Sequence, residues 1–246
     1  NINVSDIEKK ITKKTKAILI VHLAGLPCEV NKIKKIAKKN NLYLLEDCAQ
    51  SFGTYVNGVE TGNFGDVGIF SCSLVKIPTT LGGGILVTSN IEIKNYIKSW
   101  LDKNLTTSIS KNISLGVKNI ISIANSFPFL YSILSSKLLF FLNKFNPRTY
   151  RKIVYSGMGL KNKLFDPYER NNLNKYQLEF GISQLNKYEL TKKKRIANSN
   201  YLKENLSGLK KISFLNYEDE INWNHQYFII KIEENYNKFN KKIFKE

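Results

Sequence analysis

Residues 42–53, LYLLEDCAQSFG, run from an apolar stretch into two adjacent carboxylates, Glu46 and Asp47, and on into small and amide residues. Residues 42–45 have the length and composition of a buried strand. In an α/β sheet, ligands sit outside the carboxyl ends of the strands, so acids placed where an apolar strand ends mark a site. Working upstream, residues 17–22 (AILIVH) form another unbroken apolar run rich in β-branched residues, which reads as a second buried strand. Between the two, Gly25 and Pro27 punctuate a loop, and residues 30–39 place Ile33, Ile36 and Ala37 on one face and lysines on the other, as an amphipathic helix does. Strand, helix, strand is a βαβ unit, whose expected geometry is a right-handed parallel crossover.

Downstream, Asn57-Gly58 is a hairpin signal, and residues 67–72 (VGIFSC) and 84–89 (GILVTS) read as two more short strands. Ser5 is the expected N-cap of a short first helix, and Asn90 of the helix that follows residue 89. Residues 178–205 have apolar side chains recurring at three and four, which predicts one long amphipathic helix, and residues 223–232 (WNHQYFIIKI) predict a strand opening a second, smaller α/β unit. The domain reading is therefore 1–100 for a large sheet domain, 101–168 for an apolar helical connection, and 169–246 for the long helix and the start of a small domain.

The connection is unusual in texture. The stretch between Leu115 and Phe145 is strongly apolar, but Lys118, Asn119, Asn125, Pro128 and Lys137 interrupt it before the 18 or so consecutive apolar residues that a spanning helix needs. Two packed helices are the expected structure, and contact of this segment with a membrane surface is the less favoured alternative.

The 246 residues carry a net charge of +18. That excess comes from lysines scattered along the chain, with Arg148, Arg151, Arg170 and Arg195 the four arginines. Scattered lysine speaks for solubility, not for a built nucleic-acid groove, and no nucleic-acid partner is expected. Cys28, Cys48 and Cys72 are too few to imply a disulfide framework, so a reducing, cytoplasmic setting is expected. The chain begins at Asn1 without a signal-peptide pattern, and it reads as part of a longer protein. The glycines of GNFGDVG and LGGG do not open a helix with a nucleotide-phosphate pattern and are expected to serve turns.

Lys76 stands in a turn after the predicted strand 67–72. A lysine beyond one strand end and a carboxylate at another can bracket a planar cofactor. Pyridoxal phosphate requires that pair, an amine for the Schiff base and an acid that keeps the ring nitrogen protonated so the ring draws electrons.

Several ordered motifs, VHLAGLP, LLEDCAQSFGTYVNGVETGNFGDVGIFSCSLVKIPTTLGGGILVTSN and QLEFGISQLNKYELTKKKRIANSNYLKENL, resemble the DegT/DnrJ/StrS family of pyridoxal-phosphate-dependent sugar-nucleotide aminotransferases. The resemblance implies an aspartate-aminotransferase-like α/β fold, with a large domain of mostly parallel sheet covered by helices on both faces. It implies pyridoxal 5'-phosphate as cofactor, with Lys76 as the covalent attachment point and catalytic proton carrier, Asp47 paired with the ring nitrogen, Gln50 against the ring near its hydroxyl, and Ser71 donating to the phosphate. No metal is expected. Glu46 is expected to support the backbone or a neighbour, His22 to shape the strand end below the cofactor, and His225 to be an ordinary packing or surface histidine.

The implied reaction moves an amino group, with glutamate as donor, to a keto-deoxysugar nucleotide in surface-polysaccharide or glycan synthesis, and the implied assembly is a homodimer. The alternatives are a sugar dehydratase of the same fold, which the presence of Lys76 disfavours, and a non-catalytic homologue acting as an interaction or regulatory protein. Two departures stand out. TTLGGG has Leu81 and Gly82 where the family has Gly and Glu, and the family's Asn-Tyr-Arg falls on Arg170, Asn171 and Asn172. The resemblance also places the family's phosphate-binding Ser-Gly-Thr turn upstream of Asn1.

Overall fold

The computed structural model describes residues 2–73, 75–105, 127–147, 173–209, 211–215 and 221–232. It contains two units, one formed by residues 1–98 and 175–246 and the other by residues 99–174.

In the first unit, helix α1 (Val4–Lys10) starts two residues earlier than expected. Asn3, not Ser5, is its N-cap: the Asn3 carboxamide oxygen accepts from the Ser5 N–H at 3.1 Å and from its hydroxyl at 2.9 Å. Strand β1 (Ala17–Val21), helix α2 (Val30–Lys39) and strand β2 (Tyr43–Asp47) form the expected βαβ unit, with β1 and β2 parallel and Val21 opposite Asp47. Strand β2 runs two residues beyond its apolar part. Glu46 and Asp47 therefore belong to the strand and point to opposite faces of it.

Asn57 (φ 51°) and Gly58 (φ 77°) turn β3 (Tyr55–Val56) back into β4 (Val59–Glu60) as a two-residue hairpin. The main sheet continues with β5 (Val67–Ser71), parallel to β2, and β6 (Gly84–Val87), antiparallel to β5, in the order β1-β2-β5-β6. Two of the three pairings are thus parallel. Asn90 caps helix α3 (Ile91–Asn104), accepting from the N–H groups of Glu92 and Ile93 at 2.9 and 3.1 Å.

The core lies on one face of this sheet. Ile18 and Ile20 of β1 and Leu44 of β2 meet Val30, Ile33 and Ala37 of α2, with Ile7 of α1 and Phe64 closing the edge. The opposite face carries Leu19, Val21, Tyr43 and Ile69, all exposed. Helices on both faces were expected from the family resemblance. Among the described residues only one face is covered, because α1 and α2 pack on the same side.

The second half of this unit departs from the sequence reading in two places. The predicted single helix over 178–205 is two helices, α5 (Lys175–Leu185) and α6 (Tyr188–Leu206). They are separated where the Lys187 N–H turns to the Gln184 carbonyl at 3.2 Å, one residue short of the α-helical partner. The predicted strand over 223–232 is strand only in its last three residues. Strand β7 (Ile212–Phe214) pairs with β9 (Ile230–Ile232), while β8 (Ile221–Asn222) joins the hairpin by pairing with β3. The chain leaves the extended path at His225, whose φ of 48° no strand accommodates.

In the second unit, residues 128–145 are helical throughout: a short α turn (Pro128–Leu130), a π segment (Tyr131–Ser136) and helix α4 (Lys137–Phe145). Most of its apolar side chains are exposed. The rest of the predicted 115–145 pair, and Arg170, Asn171 and Asn172, lie outside the described residues. No helix among the described residues is long and apolar enough to cross a membrane.

Candidate active site at the carboxyl end of the sheet

Asp47 ends the central strand β2, between Val21 of β1 and Ile69 of β5. Its carboxylate accepts from the Ala49 N–H at 2.9 Å, a local turn that orients the side chain at the strand end. Ser71 ends β5 two residues after Ile69, so Asp47 and Ser71 share one face of the sheet. The Ser71 hydroxyl accepts weakly from the Ser73 N–H at 3.4 Å.

Lys76 sits on the loop that leaves β5, and the neck of this loop is tied at Cys72. The Cys72 carbonyl accepts from the N–H groups of Thr80 and Gly82 at 3.0 and 3.1 Å and from the Thr79 hydroxyl at 3.3 Å, while the Cys72 N–H donates to Gly83. The lysine is therefore carried on a closed loop at the same end of the sheet as Asp47 and Ser71. Leu81, in the stretch that departs from the family pattern, has φ 61°, a left-handed conformation suited to glycine.

Gln50 is placed differently from the other three. Its side-chain oxygen accepts from the Ala24 N–H at 2.6 Å, tying the loop after β2 to the turn after β1. Only its amide nitrogen is a donor to a ligand.

Glu46 points the other way, into the core, where it is fully buried. One carboxylate oxygen accepts from the Phe64 and Gly65 N–H groups at 2.8 and 2.6 Å. The other accepts from the Gly62 N–H at 2.8 Å and pairs with His22 Nε2 at 3.0 Å. Burial alone would raise this carboxyl's pKa; the bonds from His22, Gly62 and Gly65 outweigh it and hold it below the usual carboxylate range.

His22 is equally buried. Burial disfavours its charged form, while the side chains of Cys28, Cys48 and Glu46 beside it favour it. The Cys28 N–H decides the matter by donating to Nδ1 at 3.1 Å, because a second proton there would set donor against donor. The ring is thus held as the neutral Nε2–H tautomer, donating to Glu46. His22, Glu46 and Cys48 bring possible metal-ligand atoms within 4.8 Å of one another, but His22 and Glu46 are committed to these hydrogen bonds.

A set of residues that sequence reasoning missed locks the loops of this end together. The Asn224 amide donates to the Gln50 and Phe52 carbonyls at 2.8 and 3.0 Å, and the Trp223 indole donates to the Ala24 carbonyl at 3.1 Å. From α5 and α6, Gln177 donates to Thr80 at 3.0 Å, the Tyr188 hydroxyl to Phe52 at 2.6 Å and Lys192 to Gly53 at 2.6 Å. Burial pushes the Tyr188 hydroxyl above, and the Lys192 amine below, their ordinary pKa. The signal available in the sequence was the Trp-Asn-His triplet heading an apolar run. His225 stacks on Trp223 at 4.2 Å between ring centres, and its buried Nδ1 has no hydrogen-bond partner. A cleft of about 520 Å³ lies at the other, amino-terminal end of β2, beside Tyr43 and Asp66, away from this constellation.

The sequence pattern of the DegT/DnrJ/EryC1/StrS aminotransferase family matches residues 1–115, the segment that carries Asp47, Gln50, Ser71 and Lys76. Residues 1–115 thus carry a pattern similar to that family's. Within the curated relatives, the GDP-perosamine synthase of Escherichia coli O157:H7 is 49% identical over 89 residues, which are 36% of this chain and 24% of that protein. A GDP-4-keto-6-deoxy-D-mannose 3-dehydratase of Yersinia pseudotuberculosis is 32% identical over 131 residues, 53% of this chain and 33% of that protein. Among solved structures, Helicobacter pylori PseC, an aminotransferase involved in the biosynthesis of pseudoaminic acid, aligns with a TM-score of 0.67 at 20% identity, covering 99% of this chain and 52% of PseC. The chain therefore spans a quarter to a third of these curated relatives and about half of that solved chain. The fold is the aspartate-aminotransferase-like fold of the pyridoxal-phosphate sugar aminotransferases.

The residues present suit pyridoxal phosphate by their chemistry. An acid and a hydroxyl share one face at the carboxyl ends of adjacent strands, and a primary amine stands on the loop leaving one of them.

Proposed function

We propose that the protein of which this chain is part is a pyridoxal-phosphate-dependent aminotransferase acting on a keto-deoxysugar nucleotide, with an amino acid, glutamate by family resemblance, as donor. We place it in the cytoplasm, as a homodimer, in surface-polysaccharide or glycan synthesis. The observation that carries this reading is the juxtaposition of Asp47, Ser71 and the Lys76 loop at one sheet end, within the segment that matches the family.

When bound, the cofactor supplies an electron sink that makes the carbon bearing the amino group acidic. Asp47, held by Ala49, would keep a proton on the ring nitrogen. Ser71 would donate to the phosphate. Lys76 would anchor the cofactor and carry a proton at Nζ between donor and acceptor carbons. Gln50, oriented by Ala24, would offer its amide N–H toward the ring hydroxyl. The names of the relatives support a sugar nucleotide as substrate. A dehydratase is among them too; the resemblance implies that such enzymes replace the attachment lysine, which is present here as Lys76.

The test is covalent. The full-length protein is incubated with pyridoxal phosphate, reduced with borohydride and digested, and the modified peptide is located by mass spectrometry. A phosphopyridoxyl group on Lys76 that disappears in Lys76→Ala is the expected result. No label on Lys76, under conditions that label a related aminotransferase, would reject the reading in favour of a non-catalytic homologue.

A further inference from the structure

Charge is distributed unevenly along this chain. Between Asp102 and Asp166 there is no acidic side chain at all, while eight lysines and two arginines fall in that interval, against a net +18 for the whole protein. The described helical stretch 128–145 lies in its middle, outside the residues that match the family. Along α4, Leu139 and Leu142 are half-buried, so they mark the inward side. Leu138, Phe141 and Phe145 recur at i, i+3 and i+7 and form the outward side, 59%, 62% and 64% exposed. Lys137 and Lys144 are exposed beside them, and Lys144 lies over the Phe145 ring at 5.4 Å from its centre. Phe129 and Phe140 add further exposed aromatic area, at 73% and 70%.

An exposed aromatic and aliphatic stripe edged by lysines, in a segment free of carboxylates, is the composition of a helix that lies in the headgroup layer of an anionic bilayer. A dimer-forming stripe would equally bury the apolar side chains, but it would set Lys137 and Lys144 against the same lysines of the other copy, with no acidic side chain in 128–145 to oppose them. Anionic headgroups neutralise them instead. We propose that helix 128–145 is a peripheral membrane-binding element that holds the protein on anionic lipid surfaces, with Leu138, Phe141 and Phe145 in the acyl boundary and Lys137 and Lys144 at the phosphates.

The test is co-sedimentation of the whole protein with vesicles, one set of phosphatidylcholine alone and one of equal parts phosphatidylcholine and phosphatidylglycerol. Binding is expected to the mixed vesicles and not to the neutral ones, and to weaken as salt is raised. Lys137→Gln with Lys144→Gln should lower affinity at least tenfold, since each lysine at such a surface is worth on the order of fivefold. Phe141→Ser with Phe145→Ser should abolish binding with the far-ultraviolet spectrum unchanged. Both pairs are exposed, so neither change disturbs a packed core.

Three results would overturn the proposal. One is equal binding to both vesicle types. Another is binding lost in Leu19→Ser, on the open sheet face, but not in the phenylalanine variant. The third is an oligomer that the phenylalanine variant dissociates while the parent binds no vesicle, which would assign the stripe to a second copy of the chain.

Discussion

Replacing Glu46 with glutamine tests the account of the buried acid directly. The carboxylate accepts four hydrogen bonds, two on each oxygen. An amide keeps one acceptor oxygen, and in either orientation its NH2 group meets two donors: Phe64 and Gly65 on one side, Gly62 and His22 on the other. His22 cannot relieve the conflict by changing tautomer, because the Cys28 N–H occupies Nδ1. Two bonds to a charged acceptor are lost, at about 1.5–3 kcal/mol each, so Glu46→Gln should cost roughly 3–6 kcal/mol. That is a large part of the roughly 5–15 kcal/mol by which domains are stable.

The assay is urea unfolding followed by circular dichroism at neutral pH and in acid. Since the folded-state pKa of Glu46 is lowered, its contribution is present above the ordinary carboxylate range and disappears as pH falls through the folded value. The gap between parent and variant should therefore close in acid. A variant within about 1 kcal/mol of the parent at pH 7, with an unchanged denaturant slope, would show that the carboxylate does not hold the 62–65 loop, and the argument would be wrong.

Ile33 is fully buried between α2 and the sheet, so Ile33→Ala should cost about 2–5 kcal/mol in the same assay. Asn224→Ala leaves the Gln50 and Phe52 carbonyls without their donor and should cost about 2–4 kcal/mol, with faster proteolysis of the 50–54 loop as a local readout. At Leu81, whose φ is 61°, a β-branched Leu81→Val should lose about 1–2 kcal/mol while Leu81→Gly stays within about 1 kcal/mol of the parent, measured by the unfolding midpoint.

The positions of β1, α2, β2, the Asn57-Gly58 hairpin and the Asn90 cap follow from local pattern, because apolar periodicity, turn residues and capping side chains act within a few positions of one another. Glu46 and Asp47 were legible as acids at a strand end, but their opposite facing was not: the apolar run stops at Leu45, and only the continuation of β2 to Asp47 turns one acid into the core and the other away from it. What served Glu46 was not legible. Its donors come from residues 16 to 19 positions downstream and from His22, 24 positions upstream, and only the tertiary fold brings them together.

The two broken elements were misread for a related reason. Residues 178–205 and 223–232 each have a continuous local pattern, but α5 and α6 supply separate side chains to Thr80, Phe52 and Gly53, and Trp223 and Asn224 turn away from the strand path to hold Ala24, Gln50 and Phe52. The sequence by itself determined which residues could carry amine, acid and hydroxyl chemistry, because their types and local settings are written in it. The tertiary structure alone decided which of them share a face, which are spent on structure, and which apolar side chains of 128–145 are left exposed, since contact, burial and competition for hydrogen bonds arise only between segments distant in the chain.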